Sequence, residues 1–272
     1  MMSMTPTGAF SRKQHGHYDV RMGAAGYAPI VGSFGALSVT AIVVVFTVPT
    51  SRPTHGGDYL ILAIGLLVVG MLGSLLGAIG LAAIGAERVP TANLAGSTLY
   101  VGVPVAVSLT AMLGAFEVLA ALYLPASAEL FAVIVAVGGL FGVVFVAFAI
   151  ADSISLGPVD EAQHATWSLT KKWLKNRDEA NRWTFIVTAA GVAPIALSLI
   201  LRYSGVVERV TRSEVYFLVA VGIGLTTLGT LASLMRSSHR SDHKETELRK
   251  PEAFIATQAI GVYVLLLMIF LP

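Results

Sequence analysis

The sequence predicts an all-α polytopic membrane protein, a bundle of seven transmembrane helices with a cytoplasmic N-terminus and an external C-terminus. Three observations support this prediction. Hydrophobic residues make up 55% of the 272 residues and charged residues only 12%, whereas soluble domains contain about 25% charged residues. Seven stretches stay apolar over roughly the 20 residues that a helix needs to cross a bilayer. Most lysines and arginines lie in alternate connections between those stretches.

The seven apolar stretches are separated by proline, glycine and charged residues, which end helices or carry the chain into water. Residues 1–27 precede the first stretch and predict a flexible cytoplasmic leader. Residues 28–272 predict one membrane domain. The predicted spans are Ala28–Val48, Tyr59–Ala83, Leu99–Leu124, Leu130–Ala151, Thr184–Leu201, Val215–Met235 and Phe254–Leu271.

The basic residues determine the predicted direction of the bundle. With seven spans, one side of the membrane carries 14 of the 18 lysines and arginines and the other side carries 4. Short connections rich in these residues remain in the cytoplasm. The sequence therefore predicts a multi-pass protein of the plasma (inner) membrane whose two termini lie on opposite sides, which requires an odd number of spans.

The longest connection lies between the fourth and fifth spans. Residues 152–183 contain all three tryptophans. Within them, residues at helical spacing form a largely apolar stripe, from which three lysines are excluded; the stripe consists of Ala162, Thr166, Leu169, Trp173 and Ala180. This pattern is typical of an amphipathic cytoplasmic helix lying at the membrane surface, and a docking helix for a cytoplasmic partner is the alternative. Residues 236–253 mix both charges and predict a solvated cytoplasmic loop. The interfacial or docking residues are Trp167, Trp173, Trp183, Lys171, Lys172 and Lys175.

Glycines recur at helical spacing on one face of the second span and again in the sixth span. Helices in lipid associate through close backbone approach, which small residues permit. These glycines therefore predict tight helix packing within the chain, with a sliding interface or an oligomer contact as the alternatives. They are Gly70, Gly73, Gly77, Gly80, Gly222 and Gly229.

Glu117 is the one Asp, Glu, Lys, Arg or His within the body of a predicted span. A charged carboxylate facing lipid is costly, so Glu117 is expected to face the bundle, to be protonated or to pair. Arg52 and Arg202 lie on the same predicted side and are candidate partners. The carboxylate is interpreted either as a proton- or cation-binding group on a transport path or as a structural group near the outer interface.

Pro194 lies in the middle of the fifth span. A proline within a helix removes one hydrogen bond and kinks the helix, and broken helices often form the substrate sites of transporters. Pro194 is therefore the second candidate for a solute site.

A weak internal similarity relates Tyr59-x-x-x-Ala63-x-Gly65 to Tyr216-x-x-x-Ala220-x-Gly222. It suggests that helices one to three and helices five to seven are parallel repeats joined by the fourth helix.

The residues missing from the spans narrow the function further. The chain has no cysteine, and no histidine or lysine lies in a predicted span. Disulfides, iron–sulfur clusters and a retinal Schiff base are thereby excluded, and haem ligation within the bilayer by this chain alone is not expected. No catalytic set, metal site, cofactor site or nucleic-acid surface is predicted, so the chain is not expected to be an enzyme.

Two functions remain open from the sequence. The first is a permease- or channel-like protein that moves a small solute or cation. The alternative is a non-catalytic subunit that anchors or scaffolds a larger membrane complex. The expected partners are the lipid bilayer and either other membrane subunits or further copies of this chain.

Overall fold

The computed structural model describes residues 20–47, 57–86, 93–155, 167–204, 212–238 and 250–271, and within these ranges the regular structure is all helical. A 3₁₀ turn at Pro125–Ser127 connects the third and fourth helices. The helices are α1 (Val20–Thr47), α2 (Gly57–Ala86), α3 (Asn93–Tyr123), α4 (Ala128–Ser155), α5 (Trp167–Tyr203), α6 (Arg212–Ser238) and α7 (Lys250–Phe270).

Each of the seven helices contains a segment that is long enough and apolar enough to cross a membrane. The prediction of an all-helical chain with seven such helices is therefore confirmed for the described residues. The apolar segments are Gly23–Thr47, Gly57–Ala86, Ser97–Tyr123, Pro125–Ala147, Arg182–Tyr203, Ser213–Met235 and Pro251–Phe270.

Consecutive helices from α1 to α4 alternate in direction. In the α1–α2 pair, Gly32 packs against Ala78 and Gly85 packs against Ala25, so that the numbers rise on one helix as they fall on the other. Contacts at glycines show the same antiparallel relation for α2 with α3, α3 with α4 and α4 with α7. The start of α1 and the end of α7 consequently lie at opposite ends of the bundle.

Two groups of helices meet at α3. In the first helix group, α2, α3 and α6 pack on one another and α1 packs mainly on α2, and the second helix group consists of α4, α5 and α7. The main contacts between the two groups are those of α3 with α4 and α7. The substantial contacts of α5 are with α4 and α7, both within its own group. The arrangement of α3 at the centre therefore decides which side chains from the two groups can meet.

The outward surface is rich in large apolar side chains, most of all on α1, α5 and α6. Phe46 is 70% exposed and Phe185 is 74% exposed. Large contiguous apolar surfaces are rare on monomeric proteins in water. Such a surface is the one expected where lipid surrounds the helices.

The start of α5 differs from the prediction. A separate interfacial helix was expected to end near Trp183, but a single helix of 37 residues runs from Trp167 to Tyr203. No proline or glycine occurs in residues 167–190, so nothing in that segment breaks the helix. The tryptophan- and lysine-containing segment is therefore the first part of α5. Residues 156–166, and the side chains of Trp167, Trp173, Lys171, Lys172 and Lys175, lie outside what the structure describes.

The predicted parallel repeat is wrong. It requires α5 to pack on α6 as α1 packs on α2, yet α5 packs on α4 and α7. The two similar stretches instead face each other, because Gly65 of α2 meets Val219 of α6 and Gly222 of α6 meets Val69 of α2. Their shared small residues therefore reflect the close contact of two parallel helices.

The glycines singled out from the sequence lie at helix contacts. At each of the six, an added Cβ would lie 3.0 Å or less from a side chain or carbonyl group of another helix. Gly73 is the most enclosed, since its Cβ would meet Ser108 and the Pro104 carbonyl on α3 and Thr226 on α6, all within 2.9 Å. The α2–α3–α6 contact therefore depends on the absence of a side chain at Gly73.

Gly73→Ala is expected to lower the free energy of unfolding by about 1–3 kcal/mol, the usual cost of inserting a methyl group into a filled interior. Gly224 is the matched control, because it lies in α6 with nothing within 4 Å of an added Cβ. Gly224→Ala should leave the stability unchanged or raise it by up to about 1 kcal/mol, because alanine favours the helix over glycine and nothing obstructs the added methyl group. Unfolding in mixed micelles measures both. Equal effects of the two substitutions would show that this helix contact is not tight.

Candidate functional site

A buried ion pair connects the two helix groups near one end of the bundle. Glu117 lies in the last two turns of α3 and has no exposed surface, whereas Arg202 lies at the end of α5 with its side chain 8% exposed. Arg202 Nη1 is 2.7 Å from Glu117 Oε1. Of the two arginines expected to reach Glu117, Arg202 is the one that the structure places against it, and Arg52 lies outside the described residues.

Glu129 contributes a second carboxylate to the same arginine. It lies in the first turn of α4, and its Oε2 is 3.8 Å from Arg202 Nε. Its side chain is 69% exposed, so water already solvates the carboxylate and the interaction is weak. Arg202 is therefore placed between one buried carboxylate and one exposed carboxylate.

Glu129 was not recognised from the sequence. It follows the Pro125 turn and reads as a solvated residue between two spans. The available signal was the short turn itself, which makes α3 and α4 antiparallel neighbours and brings the start of α4 beside the end of α3. A search for charged residues on either side of the turn between α3 and α4 would have found Glu129.

The rest of the Glu117 environment is poor in polar groups. At Gly114, one turn earlier on α3, the nearest side chains are Leu66 of α2 with Leu267 and Leu271 of α7. The second carboxylate oxygen, Glu117 Oε2, is buried without a hydrogen-bond partner among the described residues. A buried charge is tolerated only when it is paired, so Arg202 is what allows a carboxylate to be charged at this position.

Pro194 forms a different arrangement, about 12 Å further from the end of α5 than Arg202 at 1.5 Å per residue. Proline has no N–H, so the carbonyl of Ala190, four residues earlier, loses its helical donor. Gln258 of α7 replaces it, because its Nε2 donates a hydrogen bond of 2.7 Å to the Ala190 carbonyl oxygen. The structure therefore does not combine Pro194 and Glu117 in one site, and the freed carbonyl is already occupied.

This replacement predicts a coupled effect on stability. Gln258→Leu should lower the free energy of unfolding by about 1 kcal/mol, since it leaves a part-buried carbonyl without a donor. In a Pro194→Ala background the restored N–H can donate to Ala190, and the cost of Gln258→Leu should fall. A double-mutant cycle measures the difference. The same cost in both backgrounds would contradict the assignment of Gln258 as the replacement donor.

The other polar side chains inside the bundle are mostly hydroxyls that bond to their own helix. Thr110, Ser198 and Thr257 donate to backbone carbonyls three or four residues earlier. The Tyr263 hydroxyl lies against Gly222 and has no hydrogen-bond partner among the described residues. These hydroxyls serve helix packing. Glu117 and Arg202, in contrast, carry full charges, and their ion pair links the first helix group to the second.

No group of three His, Cys, Asp or Glu side chains in the described part of the chain is arranged to hold a metal ion. The candidate site is therefore the set of Glu117, Arg202 and Glu129, which we call the charge cluster. Comparison with known protein families, with curated proteins and with solved structures finds no match to this chain.

Proposed function

We propose that this chain is a permease-like integral membrane protein that moves a small solute or cation across the plasma membrane, and that the charge cluster closes one end of its path. The observation that carries this proposal is the buried Glu117–Arg202 ion pair. Ionisable side chains within membrane-spanning helices are costly, and they commonly mark ion and substrate pathways.

The position of the pair supports a role in opening and closing. Glu117 belongs to the first helix group and Arg202 to the second, and the two groups otherwise meet mainly along α3. Transporters commonly move one helix bundle against another around a central site. Separation of Arg202 from Glu117 would release the end of α5 from the end of α3 and open a path between these two helices, while the Pro125–Ser127 turn keeps α3 and α4 joined.

The distribution of lysine and arginine assigns this end to the outside of the cell. The charge cluster lies at the end of the bundle where α5 and α7 finish, which is the end with 4 of the 18 basic residues in the predicted topology. In this orientation the ion pair is an external gate, and the N-terminus is cytoplasmic.

Reconstitution into liposomes tests the transport function. Fluorescent reporters inside the vesicles follow H⁺, Na⁺ and K⁺, and a mixture of labelled small solutes outside tests uptake. Movement that requires the protein and saturates with concentration would support the proposal. Absence of movement for every ion and solute, with the protein folded and inserted, would contradict it.

The scaffold function is the second candidate, and the length of α5 is the observation that favours it. Its apolar segment is Arg182–Tyr203, yet the helix begins 15 residues earlier at Trp167. A continuous helix carries this extension away from the apolar segment, where a partner can bind to it.

Gentle purification at native expression separates the two candidates. If the chain is a scaffold, a partner should co-purify, replacement of Trp167 and Trp173 by alanine should release it, and Glu117→Gln should have no effect. A chain that purifies alone under these conditions would contradict the scaffold function.

A further inference from the structure

We propose that Glu117 is a proton-binding site, and that proton binding transfers the ion pair of Arg202 from Glu117 to Glu129. This inference rests on the proposed transport function and names the proton as the ion that controls the external gate. Three features of the charge cluster support it: a free buried oxygen atom, an alternative partner for the arginine, and the exclusion of other cations.

The first feature is Glu117 Oε2. Both carboxylate oxygens are buried and neither accepts a hydrogen bond of good geometry from the described residues, but Oε1 lies 2.7 Å from Arg202 Nη1 and is paired with it by charge. A carboxylate with no exposed surface is stable when an arginine pairs with it or when it carries a proton. Oε2 is the atom that would accept the proton.

The second feature is the place to which Arg202 can turn. Among the residues that the structure describes, the charged groups that act on Glu117 are those of Arg202 on α5 and Glu129 on α4, while α2 and α7 present leucines to the adjacent turn of α3. Arg202 Nε is already 3.8 Å from Glu129 Oε2. A small side-chain rotation therefore exchanges a buried partner for an exposed one, and the guanidinium never loses a carboxylate.

The third feature is the guanidinium itself. A metal cation or an ammonium group at Glu117 would lie within a few ångströms of the positive charge of Arg202, and repulsion between charges at that distance is strong in a site with little water. A proton has no such difficulty, because it becomes part of a neutral carboxylic acid. The ligand class that fits this site is therefore the proton.

The charges balance in this exchange. With Glu117 and Glu129 ionised and Arg202 protonated, the charge cluster carries a net charge of −1. One proton from the external water binds Glu117 and makes the net charge zero, and Arg202 keeps its own proton throughout. The α3–α5 ion pair is then broken, and the new pair joins α4 and α5, which both belong to the second helix group.

Infrared difference spectroscopy of the full chain in liposomes tests proton binding directly. Acidification should produce the C=O absorption of one protonated buried carboxyl group per chain, and this band should be lost in Glu117→Gln. Glu214, in the first turn of α6 at the same end of the bundle, provides the control, and Glu214→Gln should retain the band. A band that survives Glu117→Gln, or its absence in the unaltered chain while it stays folded, would overturn the inference.

The movement of Arg202 is tested by a distance measurement. Because the chain has no cysteine, spin labels will attach only to the two cysteines introduced by Tyr123→Cys and Tyr203→Cys. Both positions are exposed and lie at the ends of α3 and α5. Because the exchange removes the ion pair that joins α3 and α5, the distance between the labels should increase on acidification. The Glu117→Gln chain, which imitates the protonated acid, should show the longer distance at every pH, and an unchanged distance would overturn the inference that the proton controls the gate.

If Glu117→Gln does not fold, the chain with both Glu117→Gln and Arg202→Gln serves in its place, since it buries neither charge. It should lack the infrared band and should show no pH-dependent distance; a retained band or distance change would overturn the inference. The infrared band does not depend on transport. Solute movement without the band would therefore reject the inference and leave the proposed function, whereas the band without movement of any ion or solute would reject the proposed function.

Discussion

Arg202→Met is expected to lower the free energy of unfolding by about 3–5 kcal/mol, the usual cost of removing one partner of a buried ion pair. The methionine fills a similar volume, but it leaves the Glu117 carboxylate charged and without a partner in a place where it has no exposed surface. Reversible unfolding in mixed micelles measures the loss.

The chain offers two controls for this experiment. Replacing both members of the pair, by Glu117→Gln and Arg202→Met, should recover most of the lost stability, because no unpaired charge remains. Glu129→Gln should cost less than about 1 kcal/mol, because its side chain is 69% exposed and its contact to Arg202 is 3.8 Å. If the double variant is no more stable than Arg202→Met alone, the ion pair does not stabilise the bundle in the way described here.

Glu117→Gln is expected to abolish transport while expression and oligomeric state remain as in the unaltered chain, because Arg202 can pair with Glu129 instead of being left as an unpaired buried charge. Glutamine has nearly the same size as glutamate but cannot ionise, so it can neither hold Arg202 by charge nor exchange a proton. The measurement is the initial rate of movement in liposomes for whichever ion or solute the unaltered chain moves.

Glu214→Gln is the matched control for transport, since it removes a carboxylate from a first helical turn at the same end of the bundle. It should leave the rate unchanged. A normal rate in Glu117→Gln would show that this carboxylate is structural and would favour the interpretation of Glu117 as a packing element.

The helices were predictable because each depends on a local property. A span needs about 20 apolar residues in a row, and every backbone group of a helix is satisfied within the helix itself. The exception was the start of α5, where residues 152–183 were expected to form a separate interfacial helix. Its amphipathic composition resembles a surface helix, but only a proline, a glycine or a tertiary contact would have ended it before the fifth span.

The candidate site was predictable in part. Glu117 stood out because it is a carboxylate within an apolar segment, and Arg202 was one of the two arginines named as its candidate partners among the four on that predicted side. Glu129 was missed because an exposed acid at a helix start is ordinary in sequence. The bond from Gln258 to the Ala190 carbonyl was missed because it joins two helices whose contact nothing in the sequence announced.

What the sequence determined by itself was the number of apolar helices and the concentration of charge between them, since hydrophobicity and basic residues act over short stretches of chain. Only the tertiary structure decided that α3 is central, that α5 packs on α4 and α7, and that Arg202 reaches Glu117 rather than remaining in water. The physical reason is that lipid is as apolar as the helix surfaces, so hydrophobicity does not select neighbours. Fits between backbones at positions such as Gly73 and a few buried polar contacts make that selection.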